Sequence, residues 1–344
     1  MPTFLGRSAF ARRASDEVPD RGTHGSPHVY DVRESVPVGE RGRAMRLIAL
    51  SACGWLSAGL AFGPTAANAE IVQETVELPV AVADGYGGTL HHSIKVAIFR
   101  DDTRARAPFL ILNHGRAARA SQRAEMKIEA YFHNARYFVS RGFAVFIPTR
   151  IGYGLTGGPD IENSGACRTK DYPPIYEAAA RQSIAVIAYA KTQPYVDPNK
   201  GLVVGQSFGG TTAIAIAAKN IPAVMAAVNF AGGGGGRPET HPQDPCRADL
   251  MATLFAAYGR TARIPTLWFY SENDQFWGPL IPRAWFKAFV DRGGNGKFVQ
   301  LPPYKENGHP SFTGNPAAWK GPFEAFLASC CAAAVRPSAP ASRP

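Results

Sequence analysis

The sequence predicts an α/β fold, a mostly parallel sheet with helices on both faces. Three observations predict it. From Glu70 onward, short β-rich apolar runs alternate with segments of helical pattern, as repeated strand–helix units do. The runs from Phe109 onward are continuously apolar, the mark of strands covered on both faces. No repeat period and no linker divides the chain, so a single domain is expected over residues 70–331.

Eight strands are expected, at Val72–Val80, Ile94–Arg100, Pro108–Asn113, Phe143–Pro148, Gly201–Gly205, Ala223–Phe230, Pro265–Tyr270 and Lys297–Leu301. The first two, separated by Gly85-Tyr86-Gly87-Gly88, fit an antiparallel start. Helices are expected at Ser121–Ser140, Ile175–Lys191, Phe208–Lys219, Arg247–Tyr258, Pro282–Arg292 and Ala317–Ala328. Leu202-Val203-Val204 followed by Thr211 to Ala218 reads as a buried strand feeding a buried helix. The Ala- and Pro-rich residues 332–344 read as a loose tail.

Of 344 residues, 45% are hydrophobic and 19% charged, which excludes a disordered, collagen-like or coiled-coil chain. The formal charge of +10 raises nucleic acid as a partner, but Lys and Arg are scattered and no helix carries a basic stripe, so none is expected. Arg46, the apolar stretch Leu47 to Phe62 and the small-x-small triplet Ala67-Asn68-Ala69 together describe a secretory signal peptide over residues 45–69. The apolar stretch is too short for a membrane span. Residues 1–44 read as a disordered leader or a misplaced start. Leu50-Ser51-Ala52-Cys53 resembles a lipoprotein acceptor site, and lipidation of Cys53 ranks second to simple export to the periplasm or medium. Export permits disulfides among Cys167, Cys246, Cys330 and Cys331.

The sharpest chemical signal is Gly205-Gln206-Ser207-Phe208-Gly209. It falls where a buried strand turns into a helix, the context in which a G-x-S-x-G turn exposes a nucleophilic serine. A serine hydroxyl needs a base, and the base an orienting acid. Asp274, after the strand Pro265–Tyr270, and His309, after the last strand, supply them. In a parallel sheet their loops share the edge that carries Ser207. Glu272 competes as the acid. His241 comes too early in the order to be the base, His91, His92 and His133 read as surface groups, and His114 reads as a buried brace of its turn. The backbone amide of Phe208 and that of Arg116, with Gly115 next, are expected to receive the carbonyl oxygen.

Asn113-His114-Gly115-Arg116, Arg150-Ile151-Gly152-Tyr153-Gly154, the Ser207 turn, Asp274 and Gly308-His309 fall in the order seen in α/β-hydrolases. Among these the chain resembles exported dienelactone-hydrolase-like proteins, which also approach the prolyl-oligopeptidase catalytic domain. The resemblance implies an α/β-hydrolase fold with about eight strands and a Ser-His-Asp triad. Dienelactone hydrolases themselves carry a cysteine where this chain has Ser207.

Gly152-Tyr153-Gly154-Leu155-Thr156-Gly157 matches a dinucleotide fingerprint in form only. Gly158-Pro159-Asp160 continues as loop where that fingerprint needs a helix N-terminus. No cofactor and no metal is expected.

The loops Thr149–Pro173, Ala231–Pro245 and Gln275–Pro282 should line the substrate site. Phe276 and Trp277 are candidate walls, or a packed surface pair. Tyr153 either faces the cleft or packs beneath it. Cys167 and Cys246 lie in or at the end of two of these loops, and a disulfide between them is expected. Neighbouring Cys330 and Cys331 are expected not to pair with each other. The sequence therefore points to an exported serine hydrolase acting on a carboxylic ester. A peptidase for short peptides and a non-catalytic binding protein on the same scaffold are the alternatives. The oligomeric state is unknown.

Overall fold

Hydrophobic alternation decides which way each strand faces. In β3 (Ala107–Asn113), Phe109 and Ile111 enter one core, while Leu110 and Leu112 enter the other, as a two-residue period requires. The computed structural model describes residues 71–83 and 88–332, all within one compact unit. The expected leader and signal peptide, Cys53, residues 84–87 between the first two strands and the tail beyond residue 332 lie outside the described residues.

β1 (Ile71–Ala83) and β2 (Thr89–Asp101) pair antiparallel along their whole length. With β3, β4 (Ala144–Thr149), β5 (Val196–Gln206), β6 (Val224–Phe230), β7 (Thr266–Ser271) and β8 (Gly296–Leu301) they form an eight-stranded sheet, in the order β1-β2-β4-β3-β5-β6-β7-β8. β2 runs antiparallel to β4, and all later pairs are parallel. All eight expected strands are present.

Helices cover both faces. One core is closed by α3 (Pro173–Thr192), α4 (Phe208–Ala217), α5 (Ala248–Thr261) and α6 (Ile281–Val290). The other is closed by α2 (Phe132–Ser140) and α8 (Pro316–Cys330). Among the described residues no helix is long and apolar enough to cross a membrane.

Three details depart from the sequence reading. The single helix expected over Ser121–Ser140 is α1 (Ala120–Ala124), a 3-10 turn Ile128–Tyr131 and then α2. The break lets the Met126 carbonyl oxygen lie so close to Gly154 that a Cβ there would sit 2.4 Å from it. A short helix, α7 (Ser311–Gly314), precedes α8 and was not anticipated. Cys330 and Cys331 are bonded to each other. Cys167 is joined to Cys246, so among the described cysteines these two have only each other.

Candidate active site

Ser207 stands between the end of β5 and the start of α4, with φ 54° and ψ −123°. A non-glycine residue holds that conformation only when its surroundings over-determine it. Ser207 N–H donates to the Phe230 carbonyl at 2.8 Å. The glycines on either side permit the close crossing of strand and helix. A Cβ on Gly205 would lie 2.0 Å from the Gly209 carbonyl oxygen, and one on Gly209 2.3 Å from that of Asn113.

Asp274 follows β7 and is completely buried. Its Oδ1 accepts the amides of Phe276 (2.8 Å) and Trp277 (3.3 Å), and its Oδ2 meets His309 Nδ1 at 2.9 Å. Glu272 is exposed, and Asp274 is the carboxylate that reaches the imidazole. Asn307 Oδ1 accepts both Gln275 N–H (3.1 Å) and His309 N–H (3.0 Å), locking the acid loop to the histidine loop. The imidazole stacks on Phe276, with centroids 3.9 Å apart. Gln206 Nε2 donates to the His309 carbonyl at 3.3 Å, tying the histidine loop to the residue before Ser207. The serine, imidazole and carboxylate thus gather at one sheet edge. No hydrogen bond joins Ser207 Oγ to the ring among the described residues; such bonds are often long before substrate arrives.

The loop after β3 passes directly beside the serine: a Cβ on Gly115 would lie 3.3 Å from Ser207 Cβ and 3.7 Å from the Tyr131 hydroxyl. Gly115 N–H donates to that hydroxyl at 3.0 Å, so the amide nominated as second choice is occupied. Arg116 N–H makes no hydrogen bond among the described residues. Nor does Phe208 N–H, which lies in the first turn of α4, where amides lack intrahelical partners. Tyr131, buried and pushed up in pKa chiefly by burial, went unnoticed in the sequence because its stretch reads as ordinary helix.

Beneath this loop lies a second group, in which His114 is the buried brace the sequence led one to expect and Glu162 is the member it did not single out. His114 is buried, and its Nε2 accepts Arg150 N–H at 3.1 Å while Nδ1 donates to the Gly115 carbonyl at 2.6 Å. Burial, and then the charge of Arg150, hold its pKa well below the usual histidine range. Arg150 and Glu162 form an ion pair whose side chains are both 0% exposed, with Nε to Oε1 at 2.5 Å. Tyr153, left open between cleft and core, packs beneath: it is fully buried and donates to Glu162 at 2.6 Å. It is therefore not a wall of the cavity. Arg150 was visible in the sequence as the first residue of the Arg150–Gly154 motif, directly after a buried strand, but its pairing with Glu162 left no signal there.

A cavity of about 610 Å³ opens over Ser207 and Phe208. It is lined by all three expected loops, with Phe276 and Trp277 on one wall and the Gly233–Gly236 backbone on another. The disulfide Cys167–Cys246 pins two of these loops together. The Gly152–Gly157 segment closes on itself through Gly152 N–H to the Gly157 carbonyl (2.6 Å) and continues as loop, without the helix a dinucleotide would need. Among the described residues no cluster of His, Cys, Asp or Glu could hold a metal ion.

This topology, with a serine on the strand-to-helix turn after β5, defines the fold of the α/β-hydrolase superfamily. Residues 127–275, which include Ser207 and Asp274, match the Dienelactone hydrolase family. Among solved structures, DcsB in complex with its substrate analogue is 15% identical, with a TM-score of 0.53 over 76% of this chain and 100% of that one. A protein assigned as a dienelactone hydrolase from Klebsiella pneumoniae subsp. pneumoniae is 16% identical, with a TM-score of 0.50 over 75% of this chain and 98% of that one. At such identities the likeness is one of fold. No curated protein matches the chain.

Proposed function

We propose that the protein is an exported serine hydrolase that cleaves a carboxylic ester through an acyl-enzyme. The reading rests on one observation above all. The buried carboxylate of Asp274 holds His309 Nδ1 at 2.9 Å, at the sheet edge where Ser207 stands on a positive-φ turn.

With Nδ1 committed to Asp274, Nε2 is the nitrogen left to act. It takes the proton of Ser207 Oγ as that oxygen attacks the ester carbonyl. The resulting imidazolium is stabilised by Asp274, and it returns the proton to the leaving alcohol. Negative charge on the carbonyl oxygen is received by Phe208 N–H and Arg116 N–H, both without a partner among the described residues, the kind of preorganised donor that stabilises such transition states. Water, activated by the same imidazole, then releases the acid. Phe276 and Trp277 supply an apolar wall for the substrate.

Fluorophosphonate labelling tests the nucleophile. The parent should label strongly and Ser207→Ala not at all. Equal labelling of the two overturns the assignment. A panel of p-nitrophenyl esters against aminoacyl-p-nitroanilides tests the substrate class, and faster amide turnover would make the protein a peptidase. Export rests on the pattern at residues 45–69. It predicts a mature chain beginning at Glu70, read by intact mass after secretion; a start elsewhere or an added lipid mass overturns that cleavage.

A further inference from the structure

Arg150 touches both halves of the candidate anion pocket. Its Nη1 donates to the His114 carbonyl at 2.8 Å, and its Nη2 reaches the Gly115 carbonyl at 3.4 Å. Its guanidinium carbon also lies 5.2 Å from the centroid of the Phe208 ring. In a trans peptide the C=O and the following N–H point in opposite directions. Holding the Gly115 carbonyl inward, on Arg150 and His114 Nδ1, therefore turns the Arg116 N–H outward, on the side away from the core. The Arg116 side chain is clamped as well, by a two-pronged bond to Asp160 at 2.7 and 2.8 Å. Arg150 is itself fixed by Glu162, which receives the Tyr153 hydroxyl at 2.6 Å. A buried ion pair is weak evidence for stability, and this one makes contacts that a packed apolar pair could not replace.

We infer that the buried Arg150–Glu162 pair is a positioning device for the hydrolase reaction proposed above, fixing the Gly115–Arg116 peptide so that its N–H is aimed at the substrate carbonyl oxygen. The inference rests on that reading. Arg150 does not line the cavity, and Glu162, which does, has a fully buried side chain held by Arg150 and Tyr153. Their effect is felt only where charge develops on the carbonyl oxygen, so it belongs to the transition state and not to substrate binding.

The test compares the parent with Arg150→Lys, which keeps the charge but loses the fork. The reporters are kcat and KM on the best p-nitrophenyl ester, and affinity for the alkyl trifluoromethyl ketone of matching acyl chain. The ketone places an oxyanion in the pocket. Arg150→Lys should lower kcat about 100-fold, the order expected for loss of one oxyanion donor, with KM within about threefold and ketone affinity falling in step with kcat. An unchanged kcat, or a loss of kcat without a loss of ketone affinity, overturns the role. Should Arg150→Lys fail to fold, Tyr153→Phe decides. Releasing one bond on Glu162, it should lower kcat and ketone affinity together by about three- to tenfold, and unchanged values overturn the role. A parent that neither labels with fluorophosphonate nor turns over ester overturns the hydrolase reading itself, and this role with it.

Discussion

Asp274 divides its two oxygens between two tasks. Oδ1 holds the Phe276 and Trp277 amides, and Oδ2 holds the imidazole. An asparagine keeps the first task, so the loop should stay folded, but it loses control of the imidazole tautomer. Asp274→Asn should therefore lower kcat by about 10⁴-fold at nearly unchanged KM, with fluorophosphonate labelling slowed in parallel. Unaltered turnover would return the choice of acid to Glu272. His114 carries a different prediction. It is buried neutral among Arg150, Tyr153 and the Gly115 carbonyl, with a pKa well below the ordinary 6.5. The unfolded chain binds a proton there that the folded chain refuses. The contribution to stability is thus complete above about pH 6.5 and falls as pH drops below it, by up to about 1.4 kcal/mol per pH unit. Urea unfolding at pH 7.5 and 5.5 should show a steeper acid loss in the parent than in His114→Gln. At this scale Ser207, Asp274 and His309 were legible because chemistry restricts their residue types and strand context fixes their edge. The roles of Arg150, Glu162 and Tyr131 were not, because an isolated Arg, Glu or Tyr is ordinary in any loop or helix until the fold brings it to a carbonyl or amide.

Strands were easier to read than helices, and the reason is visible in particular segments. A run such as Leu110-Ile111-Leu112 is apolar on both faces and admits no other buried element of its length. The stretch 120–140 has helix-forming residues throughout, yet tertiary contact between Met126 and Gly154 interrupts it. Helix α7 has too few residues to leave a periodic trace. It nevertheless positions the site, since Ser311 Oγ bonds Ser271 Oγ (2.7 Å) and the Gly308 carbonyl (2.7 Å), bracing the turn that carries His309. Behind it stands Trp319 of α8, fully buried, donating to the Phe312 carbonyl at 3.0 Å and packed against Phe138, Phe230 and Phe323. Trp319→Ala should cost about 3–5 kcal/mol of stability, read as a lower urea midpoint. Turnover should drop too, since the support of the histidine turn is lost. A midpoint within error of the parent would mean α8 contributes little to that support.

Across the molecule, the sheet fixes one wall of the cavity and loops supply the rest. The loops are held in two unlike ways. Buried polar bonds fix the inner loop, from Arg150 to Glu162. A covalent link fixes the outer rim, where Cys167 meets Cys246 across 79 residues of sequence. Tyr172 reinforces that link by donating to the Cys246 carbonyl at 2.5 Å. Closing a long loop removes conformational freedom from the unfolded chain, an effect worth about 2–4 kcal/mol. For a domain of this size that corresponds to roughly 5–15 °C in melting temperature. The disulfide and the proposed export support each other, because such bonds persist in oxidising compartments. Protein made in an oxidising compartment should melt higher than the same sequence treated with dithiothreitol, by about that margin. The double variant Cys167→Ser/Cys246→Ser should lose the sensitivity to reductant. Cys330→Ser/Cys331→Ser should keep it, since that pair closes no loop between elements at the far end of α8. Should the second double variant, and not the first, abolish the response, the rim would be held by its buried hydrogen bonds alone.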